Sequence, residues 1–282
     1  MASVMEEQSP QPKSISLARA LRKGFRAAYD HLGYVVFVTF ASFLITAVLF
    51  TCAAVVGRGI SFVLSLLLLS PPVLLGAYLC AVGVFFFAEK SVSAEHPVLA
   101  DTWKGISTLL APALKLFIVD LVITVVLLGD TLFFLSMIKA SGGALFTVLG
   151  ILFGYLTFVW LMMMLYHLPL LAAQLKMESG PGPFVILRKS FLLTADNPGF
   201  TLGLFLAIIA FAVLCALPGL LGLVTFYLGA AAFILTSALR ELFIKYGIVE
   251  EERDVTEDNW SLPESWLKRN KAGGAPDDGN DA

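Results

Sequence analysis

GFTLGLFLAIIAFAVLCALPGLLGLVTFYLGAAAFILTSAL runs from Gly199 to Leu239 without a single charged residue. At ~1.5 Å per residue, one helix of this length would reach about 60 Å. That is roughly twice the hydrocarbon thickness of a bilayer, so the stretch has to fold back on itself. "LPGL" at 217–220 supplies the turn, since Pro ends a helix and Gly lets the chain reverse. A second apolar block, Tyr34 to Ala88, is interrupted only by "GRG" at 57–59. With 58% hydrophobic and 14% charged residues in 282, the chain lies outside the soluble globular range.

Working outward, the hydropathy predicts an all-α, polytopic helical membrane bundle with six spans. They fall near 34–56, 60–88, 113–137, 144–171, 199–217 and 220–242, inside a membrane domain covering 14–248. Pro71-Pro72 either kinks the second span or divides it. Residues 1–13, "MASVMEEQSPQPK", are polar and unlike a cleaved signal peptide, and they are expected to be disordered. So is the tail from 249 to 282, rich in acidic residues, where Trp260 and Trp266 are candidate anchors for the membrane surface or a partner. Cys52, Cys80 and Cys215 lie inside apolar segments and suggest neither a disulfide framework nor a metal site.

Six spans place 17 of the 19 Lys and Arg residues on one side; only Arg58 and Lys139 fall on the other. This bias predicts that both termini are cytoplasmic, in a multi-pass protein of the inner (plasma) membrane.

"LRKGFRAAYDHLGY" at Leu21–Tyr34 recurs as "LRKSFLLTADNPGF" at Leu187–Phe200, with Leu, Arg, Lys, Phe, Asp and Gly repeated in register. Each copy precedes a span. In the first, Leu17, Leu21, Phe25, Ala28 and Leu32 recur at near-helical spacing, opposed by Arg19, Arg22, Lys23 and Arg26. The second sets Phe184, Leu187 and Phe191 beside Arg188 and Lys189. Both patterns predict amphipathic in-plane helices on the cytoplasmic surface, over Leu21–Leu32 and Pro183–Thr194, with those cations as headgroup contacts. Asp30-x-x-Gly33 and Asp196-x-x-Gly199 should mark the corners into the spans. "WKGISTLLAPALKLF" at Trp103–Phe117 is a weaker echo, which chance likeness of apolar segments explains equally well. If real, it completes a three-fold parallel repeat of a two-span unit.

"SPPVLLGAYLCA", "MLYHLPLLAAQLK", "ILRKSFLLTADNPGFTLGL" and "LRELFIKYGI" resemble the YesL-like family of small bacterial integral membrane proteins over about residues 20–248. The resemblance implies a membrane protein without established activity, often linked to carbohydrate uptake. The longer first hairpin and the polar tail depart from the family's pattern.

Ionisable groups inside spans are costly and therefore worth naming. Asp120 lies seven residues and His167 four residues from the cytoplasmic ends of the third and fourth spans, on consecutive antiparallel helices. They form a candidate intramembrane polar pair, either structural or a proton or ligand site. Met162-Met163-Met164 is expected to face lipid, and Gly150-x-x-x-Gly154 is a weak helix-packing motif. No catalytic, metal or nucleotide signature is present, and nothing points to a cofactor or to nucleic acid. The expected function is a non-enzymatic accessory or scaffold subunit, in contact with the lipid bilayer and with a membrane-protein partner or a second copy. The alternative is a small transporter or channel with a polar site near Asp120 and His167. The topology is tested by reporter fusions after Gly142 and after Ile248, which should report opposite sides of the membrane; the same side for both would contradict six spans.

Overall fold

The computed structural model describes residues 15–58, 61–93, 97–141, 143–173 and 182–249, and these are helical with no strand among them. Trp260 and Trp266 fall outside the described residues, as do the N-terminal segment 1–13 and the tail from 250. The helices are α1 (Leu17–Asp30), α2 (Leu32–Gly57), α3 (Phe62–Val92), α4 (Ala100–Ser141), α5 (Ala144–Ala173), α6 (Pro183–Asp196), α7 (Pro198–Ala216) and α8 (Leu228–Lys245). Six segments are long and apolar enough to cross a membrane: Leu32–Gly57, Leu68–Val92, Ala100–Ala140, Ala144–Ala173, Pro198–Ala216 and Leu223–Lys245. The chain is an all-α polytopic membrane bundle.

The structure decides one open reading, overturns a second and agrees with a third. First, α3 runs unbroken through Pro71 and Pro72, so the second span is not divided. Second, α4 is a single helix of 42 residues that includes Pro112, and no corner separates Trp103–Phe117 from the third span. The other two copies end on Asp30-His31 and Asp196-Asn197-Pro198. The equivalent places here are Ala111 and Leu114, so the Asp and Gly of the turn are missing and the helix continues. Third, α1 and α6 are separate helices, and the first corner falls at His31, within Asp30-x-x-Gly33 as expected. Asn197 takes the same place in the second copy. "LPGL" behaves as expected: it forms the turn, with Gly219 at φ 70° and Leu220 at φ 67°.

The second helix of each pair lies inside. Helices α3, α5 and α8 pack against one another, and α2, α4 and α7 pack outside them. Helix α8 is the centre, with every residue from Gly229 to Leu239 buried. A one-turn π-helix, Leu223–Tyr227, leads into it. Just beyond, the Gly229 amide donates to Thr39 Oγ1 at 2.9 Å, so a buried backbone group finds its partner on α2.

The same contact recurs around this centre. Helix α1 lies on α8, the first turns of α4 lie on α3, and α6 lies on α5. At each place a small residue permits the approach. A Cβ on Gly24 would lie 2.6 Å from Ile234 Cα, and one on Gly105 would lie 2.6 Å from Phe86 Cβ. Ser190, two residues after Arg188 as Gly24 is after Arg22, comes within hydrogen-bond distance of His167. Gly83 answers Gly105 across the α3–α4 seam, meeting Thr102 and Ile106.

These seams correct the expected burial of α1. Its buried face is Ala20, Gly24 and Ala28, turned toward α8, and Leu17 and Leu21 pack partly on the core. Phe25 remains 41% exposed and meets Phe211 edge to face. The small residues are buried because they allow backbone contact. In α6, Ile186, Ser190, Leu193 and Thr194 are buried, while Phe184 and Phe191 point outward. Gly150 packs near Ile138, but Gly154 touches nothing, so the G-x-x-x-G motif is only half used.

Candidate functional site

Asp120 and His167 meet. Asp120 Oδ1 lies 3.0 Å from His167 Nδ1, with the two side chains 5% and 2% exposed. The spacing brings them together because α4 and α5 are antiparallel neighbours, consecutive in the chain. The ring N–H does not point along the line between the two atoms. Both atoms therefore lack a proper hydrogen bond, and the contact is electrostatic in character.

Two further groups extend the pair. Tyr78 of α3 donates to Asp120 Oδ2 at 3.4 Å, a long and weak bond. Ser190 Oγ of α6 sits 3.1 Å from His167 Nε2 and 2.9 Å from the Leu187 carbonyl. Ser190 donates its hydroxyl proton to the Leu187 carbonyl, so in its contact with Nε2 the ring N–H is the donor. The single hydroxyl proton cannot serve Nε2 and the Leu187 carbonyl together. Four helices, α3 to α6, thus converge on one imidazole and one carboxylate.

A polar line continues along the α4–α5 seam. Trp160 Nε1 donates to Thr124 Oγ1 at 2.9 Å, and its ring meets His167 edge to face at 5.4 Å. Thr131 and Thr157 pair at 2.9 Å, and Thr157 also donates to the Leu127 carbonyl. Tyr78, Ser190, Thr124, Trp160, Thr131 and Thr157 escaped the reading of single ionisable residues. Their signal was periodic: 120, 124 and 131 on one helix, and 157, 160 and 167 on the other, fall three or four residues apart or at sums of those steps. The methionine run does not simply face lipid. Met162 and Met163 are buried, and Met164 Sδ lies 3.8 Å from Thr124 Oγ1.

The cationic candidates divide. Arg19 and Lys23 turn inward to Glu241 of α8, at 3.8 and 3.3 Å. Glu241 is only 6% exposed, so this clasp ties α1 to the inner end of the central helix. Arg22, Arg26 and Arg188 are exposed, and Lys189 is half-buried.

The two corners are tied alike. His31 lies 3.2 Å from Ser91 Oγ at the end of α3 and stacks on Phe233. Asn197 accepts from Lys245 Nζ at 2.6 Å and donates to the Tyr246 hydroxyl at 2.7 Å, at the end of α8. Tyr246 also donates to Asp196. Burial, opposed by the Asn197 hydrogen bond and reinforced by Asp196, pushes the Tyr246 phenol up, which keeps it a neutral donor.

Among the described residues no three His, Cys, Asp or Glu side chains gather into a metal-binding group. No family model, curated protein or solved structure matches the chain.

The Asp120–His167 contact is testable by a double-mutant cycle. Asp120→Leu or His167→Leu alone strands a buried polar partner and should cost on the order of 1–3 kcal/mol. The double replacement should cost less than the sum. Thermal unfolding in detergent checks this, and additive losses would contradict energetic coupling between the two.

Proposed function

We propose that the protein is a non-enzymatic accessory or scaffold subunit of the inner (plasma) membrane, with both termini in the cytoplasm. One observation carries this reading: the buried polar cluster within the spans joins helices to one another. Asp120, His167, Tyr78 and Ser190 hold four helices, and the hydroxyls of the α4–α5 seam pair with each other or with a carbonyl. Val82, Phe85 and Ala88 of α3, Leu170 and Leu171 of α5, and Ala238 and Leu242 of α8 belong to one buried apolar cluster. A filled centre suits a rigid support better than a conduit. Broad apolar faces on α2, α4, α5 and α7 remain exposed for lipid and for a partner helix, either another membrane protein or a second copy. The resemblance to YesL-like proteins supports association with a solute-uptake system. The recurring contact of such a segment with an inner helix, α1 on α8, the start of α4 on α3 and α6 on α5, favours the three-fold parallel repeat, with its third copy absorbed into α4.

A second reading, a small transporter or channel, is favoured by the buried Asp120 and His167 atoms that lack a proper hydrogen bond. Purification in mild detergent and reconstitution distinguish the two. The scaffold reading expects a membrane protein co-purifying in fixed stoichiometry and no solute flux in liposomes. Flux by the protein alone, abolished in His167→Leu, would replace it with the transporter reading.

A further inference from the structure

At the inner end of the bundle, a cavity of about 410 Å³ opens between α1, the end of α3 and α8. We infer that it is a binding site for a phosphate group, such as the headgroup of an anionic phospholipid. The site is distinct from the Asp120–His167 cluster and independent of whether the protein is a scaffold or a transporter.

Three cations line it, Lys23 and Arg26 from α1 and Arg240 from α8. Two hydroxyl residues, Ser91 and Ser237, line it as well, the first at the last turn of α3 and the second buried on α8. Two carboxylates also border the cavity, Asp30 and Glu241. The charge of Glu241 is met by Arg19 as well as Lys23. Among the lining residues three cations stand against two carboxylates, and the balance around the opening is positive. Guanidinium groups from two separate helices suit the several oxygens of a phosphate, because each offers a planar fork of donors. Serine hydroxyls supply short, uncharged donors beside them.

The cavity also lies at the right depth. Ser91 is one residue before the end of α3, and Arg240 lies in the second-last turn of α8. A group bound there sits where a span leaves the hydrocarbon, on the side holding most of the Lys and Arg residues. Basic pockets between spans at this level are suited to lipid headgroups. The small-residue seam of α1 on α8 holds Arg26 at the rim.

The test uses the full-length protein in neutral detergent, titrated separately with phosphatidylglycerol, phosphatidylcholine and inorganic phosphate, with bound ligand read by native mass spectrometry. The wild-type protein should bind phosphatidylglycerol in preference to phosphatidylcholine. Arg26→Gln, at an exposed position, should weaken that binding by about tenfold or more. Arg22→Gln removes the same charge one turn away, outside the cavity, and should cost no more than the roughly fivefold loss expected of diffuse attraction. Inorganic phosphate binding with the same Arg26 dependence would support the site and make free phosphate its source; lipid binding without phosphate binding would assign it to a headgroup. Equal affinity for the two lipids in the wild type, with no phosphate binding, overturns the inference without recourse to any variant. Equal losses in Arg26→Gln and Arg22→Gln overturn it too, since the attraction would then be that of the surface as a whole.

Discussion

Lipid tails are as apolar as the side chains they would replace, so the bilayer gives these helices no hydrophobic reason to associate. What remains is dispersion between closely packed atoms, and that requires backbones to approach. Gly24 against Ile234 and Gly105 against Phe86 are the places where the chain allows it. Both seat a surface-side segment on an inner helix, and the rest of the layout follows from those seats. With α1 on α8 and the start of α4 on α3, the inner helices are covered along part of their length. The outer spans then wrap what is left, and α8 is closed off from lipid along Gly229–Leu239.

Polar groups decide which neighbours a helix accepts. Dispersion alone would tolerate many registers, whereas a buried carboxylate tolerates few, because an unpaired charge in an apolar medium is costly. Asp120 fixes α4 against α5 through His167, and Ser190 brings α6 to the same imidazole. Glu241 fixes α8 against α1 in the same manner at the inner surface. His31 and Asn197, 166 residues apart, each tie a surface-helix corner to the end of an inner span. The repeated phrase thus corresponds to a repeated mechanical task, holding a corner shut.

Much of this was legible in the sequence, for identifiable reasons. Long uncharged runs have a single economical reading in water-soluble or membrane surroundings, so six spans and the turn at 217–220 could be placed by counting. Asp120 and His167 stood out because ionisable residues are rare in such runs, and similar depth on consecutive helices put them in reach. Other features were hidden because their signal is small. Ala20 and Gly24 carry no weight in an amphipathic pattern dominated by Leu and Phe, yet with Ala28 they are the buried face of α1. Hydroxyls such as Thr124 and Thr157 disappear into hydropathy averages, although their spacing along the helix was visible. The unbroken α4 was missed because likeness to the other segments suggested a corner, although Ala111 and Leu114 stand where those segments have the Asp and Gly of the turn.

Close approach at particular glycines therefore carries the architecture, and it can be challenged directly. The measurement is the thermal midpoint of the full chain in one detergent, after Gly→Leu exchange at Gly24 and Gly105 and at Gly129 and Gly154. The last two lie in the helices α4 and α5 with no neighbouring heavy atom within 4 Å of an added Cβ. Overpacking at Gly24 or Gly105 should lower stability by about 1–3 kcal/mol or more, whereas Gly129 and Gly154 should accept leucine with little change. If all four exchanges proved equally mild, the seams would not be what holds the bundle together, and this account of the fold would be contradicted.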